Sequence, residues 1–137
     1  MRYHVLTSEL IRTAGHKARL FGHSYVGSVH LLTALVELPS GTGQFLRSMG
    51  LDPCLTETMA RLFYGMGRPD LPLPQGLTAN ARKILHRASR EAKSQNSRLI
   101  RPVHVLLALA RTENCGAAEL LMMNGISPQG LFSHTVE

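Results

Sequence analysis

Displaced by 74 residues, the sequence lies over itself without a gap for about 35 positions. Ala14 meets Ala88, Ala18 meets Ala92, and Val29-His30 meets Val103-His104. Leu32, Ala34 and Leu35 meet Leu106, Ala108 and Leu109. One extra residue then changes the offset to 75, so that Gly41 meets Gly116, Leu46 meets Leu121, Gly50 meets Gly125 and Pro53 meets Pro128. The matches keep chain order and fall on small, apolar and turn positions, which a shared fold constrains most. Duplication of one unit accounts for this pattern.

Each copy reads as helices divided by short breaks. Thr78 suits an N-cap, and Ala81, Ile84, Leu85, Ala88 and Ala92 follow with helical spacing. Leu10, Ile11, Ala14, Ala18 and Phe21 stand at the same places in the first copy. Breaks at Gly22-His23-Ser24 and Gln95-Asn96-Ser97 precede second helices that start near Ser28 and Pro102. A short third helix covers about 43–49 and 117–124, stopped by Gly50 and Gly125, and a fourth begins at Pro53 and at Pro128. The expected class is all-α, two tandem four-helix repeats. Repeat one takes residues 1–64, a Pro/Gly-rich connector takes 65–76 and repeat two takes 77–137, within a single domain. No stretch alternates with period two for long enough to predict a strand.

Composition narrows the function classes. At 137 residues and 44% hydrophobic, the chain can bury one ordinary core, and without Trp that core is aliphatic. No apolar run approaches the roughly 20 residues of a membrane span, and Met1-Arg2-Tyr3-His4 does not open a secretory signal. Cys54 and Cys115 stand far apart with no Cys/His cluster, as thiols in a reducing compartment do, so a cytoplasmic protein is expected. The histidines show no metal-ligand spacing, and no Ser, Cys or Lys has the flanks of an activated nucleophile. Neither metal, cofactor nor catalysis is expected. His30 and His104, at the start of apolar helices, read as half-buried imidazoles bonded to a loop carbonyl.

The net charge of +6 is local. Seven basic residues and one acid, Glu91, lie between Thr78 and Arg101, while the rest of the chain is balanced. Lys83, His86, Arg87 and Arg90 recur at i, i+3, i+4 and i+7, opposite the apolar stripe of the same helix. This face is either simply solvated or a docking surface for an acidic partner, with Lys83, Arg87 and Arg90 as its candidates. Nucleic acid fits less well, because no aromatics interleave the charges and no helix-turn-helix pattern surrounds them.

Gly22-His23-Ser24-Tyr25-Val26-Gly27-Ser28-Val29-His30-Leu31-Leu32 closely resembles the G-H-x-Y-I-G-T-E-H-L-L signature of the N-terminal repeats of Clp-family AAA+ unfoldases. Leu77-Thr78 and Ala88 through Ala92 echo the family's opening F-T and its A-x-x-E-A helix. Leu46-Arg47-Ser48-Met49-Gly50-Leu51-Asp52 echoes its L-x-x-L-G-V-D, and Leu121 through Ser127 does so more loosely. The resemblance implies a pseudo-twofold helical domain that receives protein substrates or adaptor proteins and passes substrates to the AAA+ ring of a longer parent chain. There is no Gly-x-x-x-x-Gly-Lys-Ser/Thr loop, so the domain is expected to act by binding, as an isolated monomer. The rival expectation is a free-standing basic helical protein that binds nucleic acid or regulates an unfoldase in trans.

In some members of the family, the resemblance further implies, the Glu of each G-T-E-H contacts the guanidinium of a phosphorylated arginine, and residues at the first helix N-terminus receive the phosphate. Here Val29 and Val103 stand at both Glu positions, and Thr78 has His4 as its counterpart. The expected pockets are therefore apolar, built from Tyr3, His4, Val29, Thr78 and Val103, and phosphoarginine recognition is not carried over.

Overall fold

The computed structural model describes residues 2–64, 76–112 and 115–128, except the side chains of residues 63 and 64. In the first copy, α1 spans Val5–Leu20, α2 Ser28–Glu37, α3 Gly41–Ser48 and α4 Pro53–Tyr64. In the second, α5 spans Ala79–Ser94, α6 Pro102–Arg111 and α7 Gly116–Met123. The fold is all-α, as the periodicity predicts. The predicted connector lies outside the described residues apart from Gly76, as does the predicted last helix apart from Pro128, which is helical.

The copies match in how their helices end. Gly22 and Asn96, 74 residues apart, both take left-handed backbone conformations, with φ of 70° and 57°. The N–H groups of His23 and Ser97 then return to the carbonyls of Ala18 and Ala92 at 2.8 and 2.9 Å. This closes α1 and α5 with one motif, in which Asn replaces Gly as the other residue that tolerates positive φ. The starts match too: His4 Nδ1 accepts from the Leu6 N–H, and Thr78 Oγ1 accepts from the Ala81 N–H, both at 3.1 Å. A histidine thus does for α1 what threonine does for α5.

The central layer is α2 and α6. Every residue from Ser28 to Val36 is buried, and in α6 only Val103, Ala110 and Arg111 are not. A helix apolar all round has to be enclosed by its neighbours. Here α2 is enclosed by α1, α3 and α4 of its own copy and by α5, α6 and α7 of the other.

Short strands, which the sequence reading did not predict, join the copies. β1 (Arg2–Tyr3) pairs in parallel with β2 (Leu99–Ile100), Tyr3 opposite Ile100. Leu77 bridges to Val26 in the same sense. Leu77 is Tyr3 moved on by 74, and Val26 is Ile100 moved back by 74, so each copy lends its entry residue to the other copy's loop. The bonds are reciprocal: His4 N–H to Ile100 O at 2.9 Å, and Thr78 N–H to Val26 O at 2.8 Å. Two residues are too few to show a period of two, which is why the alternation test passes over them.

Candidate functional site

The exchanged strands set the start of α5 beside the start of α2. Thr78 lies against Gly27, whose missing Cβ would sit 3.5 Å from the Thr78 methyl. The start of α7 joins them, because the buried Ser28 Oγ accepts from the Ala117 N–H at 3.1 Å. Between the three helix starts opens a cleft of about 390 Å³, lined by Tyr25, Val29, Thr78, Asn80 and Gly116 and backed by His23 and His30. Val29 is an apolar floor, 6% exposed, and Tyr25 is an exposed aromatic wall. The Thr78 hydroxyl oxygen is used in capping α5, a bond that does not engage its proton. No described lining residue is a carboxylate.

His30 fixes the floor. Its Nδ1 accepts from the Gly27 N–H at 2.8 Å, the reciprocal half of a capping box. The neutral ring therefore carries its proton on Nε2, which donates to His23 Nδ1 at 2.8 Å. Burial, and secondarily the neighbouring His23, push the His30 pKa down to about 4. His104 repeats the arrangement, with Nδ1 accepting from the Arg101 N–H at 2.9 Å and Nε2 facing Gln95 Oε1 at 3.1 Å. Burial, then Arg101, lowers its pKa. The expectation of half-buried rings bonded to a carbonyl is thus corrected: both are buried and accept from a backbone N–H, because each sits at the third position of its helix.

Of the five predicted pocket residues, Val29 and Thr78 share this cleft. Tyr3 lies in β1, His4 caps α1, and Val103 is half-buried in the first turn of α6, around the place related to the cleft by the repeat. Arg101 stands there at the position of Gly27. Sequence reasoning did not single out Tyr25, Asn80 or Gly116. Tyr25 is legible as part of the His-x-Tyr loop, whereas Gly116 arrives through a helix packing that no local pattern reports.

On the basic face, Lys83 and Arg90 are exposed. Arg87 is half-buried, and its Nη1 donates to Arg111 O at 3.0 Å and to Thr112 Oγ1 at 3.2 Å, closing the C-terminus of α6. Arg87, Arg90, Glu91, Ser94 and Arg111 line a second cleft of about 500 Å³.

The family model described as "Clp repeat (R) N-terminal domain" matches residues 3–124. The chain belongs to this family. Among curated relatives of this Clp N-terminal domain, the chloroplastic chaperone protein ClpC2 of Oryza sativa subsp. japonica and the chloroplastic ClpC of Pisum sativum are each 27% identical over 131 residues. Those matches cover 93% of the chain but only 14% of the relatives, so the chain spans about one-seventh of their length. Among solved structures, the N-terminal domain of ClpD from Arabidopsis thaliana aligns with a TM-score of 0.80 at 16% identity, covering 98% of this chain and 92% of that one. The Hsp104 N-terminal domain from Candida albicans aligns with a TM-score of 0.80 at 17% identity, covering 100% and 91%. These likenesses establish the double-repeat fold. Among the described residues, no helix of this Clp N-terminal domain is long and apolar enough to cross a membrane.

Proposed function

We propose that this Clp N-terminal domain is a non-catalytic receiver of protein segments, substrates or adaptors, for an ATP-dependent unfoldase ring. The observation that carries the reading is the meeting of Val29 from one copy and Thr78 from the other in a single cleft of about 390 Å³. An apolar floor, an aromatic wall and a few polar groups at the rim suit an apolar side chain on an extended peptide. Cys54 and Cys115, both unpaired, fit the reducing compartment in which such a receiver works.

The test is an NMR titration of the isotopically labelled chain with an unstructured, uncharged, Leu- and Val-rich peptide. Amide shifts are expected at Tyr25, Val29, Thr78, Asn80 and Gly116, and Tyr25→Ser should weaken binding about threefold or more while leaving the fold intact. Shifts that map elsewhere, or a Tyr25→Ser chain that binds as tightly as the parent, would overturn the reading.

A further inference from the structure

The second cleft has a partner across the repeat. Moved back by 74, its residues Arg87, Arg90, Glu91, Ser94 and Arg111 become Thr13, His16, Lys17, Leu20 and Glu37. Those five, with Arg19, line a cleft of about 720 Å³ in the first copy. The fold therefore builds the same surface groove twice, between the first helix of a repeat and the end of its second helix. The charges in the two grooves differ. In the first groove Lys17 is neutralised by Glu37 and Glu57, each at 2.9 Å. In the second, the described lining residues bring three guanidinium groups to one carboxylate, Glu91, which is 8% exposed and bonded to Arg111.

We propose that the α5–α6 groove is a second docking site, specific for a carboxylate-bearing segment of a partner protein, with Arg90 its principal contact. It deepens the reading of the domain as a receiver of protein segments and is separate from the cleft at Val29. Arg90 is exposed at the groove. Arg87 and Arg111 are held in place by the end of α6 and by Glu91, so these two guanidinium groups beside Arg90 are ordered before a ligand arrives. Guanidinium groups pair with carboxylates in planar, two-bond geometry, and the excess positive charge speeds encounter. An acidic peptide is favoured over nucleic acid because no described lining residue is an aromatic on which a base could stack.

The probes are a fluorescent Glu-rich dodecapeptide and a single-stranded DNA of equal charge, titrated by anisotropy into the full chain at two salt concentrations. Variants are Arg90→Glu in the groove, Lys83→Glu on the same helix outside it, and Arg19→Glu in the related groove of the first copy, each checked by circular dichroism. Arg90→Glu is expected to weaken the peptide about tenfold or more, and the other two about threefold or less. Equal losses in all three variants would mean a diffuse charge effect and overturn the proposal. So would no peptide binding, or DNA binding tighter than peptide. The Leu- and Val-rich peptide should bind the Arg90→Glu chain unchanged, so either site can fail without the other.

Discussion

Lys17 pairs with Glu37 at 2.9 Å, and 74 residues further on Glu91 pairs with Arg111, the same two positions with the charges exchanged. Both pairs tie the last turns of a repeat's first helix to the last residue of its second. A charge held partly out of water has to be met by a partner, but the polarity of the pair is free until a third charge decides it. In the first copy that charge is Glu57, which also bonds Lys17; in the second the groove's other arginines, Arg87 and Arg90, select a glutamate.

Reversing the first pair, Lys17→Glu with Glu37→Lys, should therefore fail to restore stability, because Glu57 would face another carboxylate. A loss of roughly 1–3 kcal/mol by urea unfolding is expected. Adding Glu57→Gln should recover most of it. Full stability of the double reversal would show that Glu57 does not set the sign.

Gly43 marks a second point where the copies diverge. A Cβ there would lie 2.1 Å from the Leu38 carbonyl oxygen, a backbone atom that cannot swing aside. Ala118 occupies the matching position in α7 and is accommodated. Gly43→Ala should cost at least about 2 kcal/mol, despite alanine's better helix propensity. Ala118→Gly should cost only about 1 kcal/mol, the helix-propensity difference. Thermal unfolding of the two variants side by side checks the contrast.

The repeat, the helices and some of their ends were legible because they rest on local chemistry: a threonine before an apolar stripe, glycine or asparagine after it, proline at a helix start. The apolar stripe of α5 likewise fixed which of its residues face the core. What could not be read is what arrives from elsewhere in the chain. Glu91 counts in the sequence as the lone acid of a basic segment, yet it is buried, because Arg111 on another helix meets it. Arg87 has the spacing of a solvated face, but the end of α6 passes within its reach. Sequence spacing assigns a face; it does not say what packs beside that face.

Arg87 and Arg90 should consequently behave differently although both line one groove. Arg87→Ala removes two hydrogen bonds from the end of α6 and the favourable placement of a cation there, a loss of about 1–2 kcal/mol. Arg90→Ala should stay within about 0.5 kcal/mol of the parent, as exposed substitutions usually do. Arg47 closes α2 in the same way, through Val36 O at 2.6 Å and Leu38 O at 3.2 Å, and Arg47→Ala should resemble Arg87→Ala.

The depressed pKa of His30 makes stability depend on pH. Its ring is neutral in the folded chain down to about 4, whereas in the unfolded chain it takes up a proton near the ordinary 6.5. The unfolded state thus binds more protons in that window, so the stabilisation is full above about 6.5 and is lost as pH falls toward 4. The gap corresponds to roughly 3 kcal/mol at neutral pH. His104 acts in the same direction. His30→Asn keeps an acceptor near the Gly27 N–H but does not titrate, so its stability should fall less steeply between neutral pH and about 4. Equal slopes for parent and variant would remove His30 as the cause.

The last prediction concerns phosphorylated arginine. A guanidinium in the cleft at Val29 would have to give up water without gaining a carboxylate, since no described lining residue supplies one and Val29 offers only methyl groups. Burying guanidinium N–H groups without an acceptor is unfavourable and offsets what the phosphate gains at the helix starts. The matching position in α6, Val103, has the same chemistry. Calorimetry with an arginine-phosphorylated peptide and its unmodified twin should therefore give affinities within about threefold at moderate salt, because attraction of the phosphate to the basic face is screened there. Val29→Glu should raise the preference for the phosphorylated peptide by restoring the missing partner. Tight, one-to-one, salt-resistant binding of the phosphorylated peptide by the parent chain would show that the cleft does not need a carboxylate, and the apolar reading of Val29 would then be wrong.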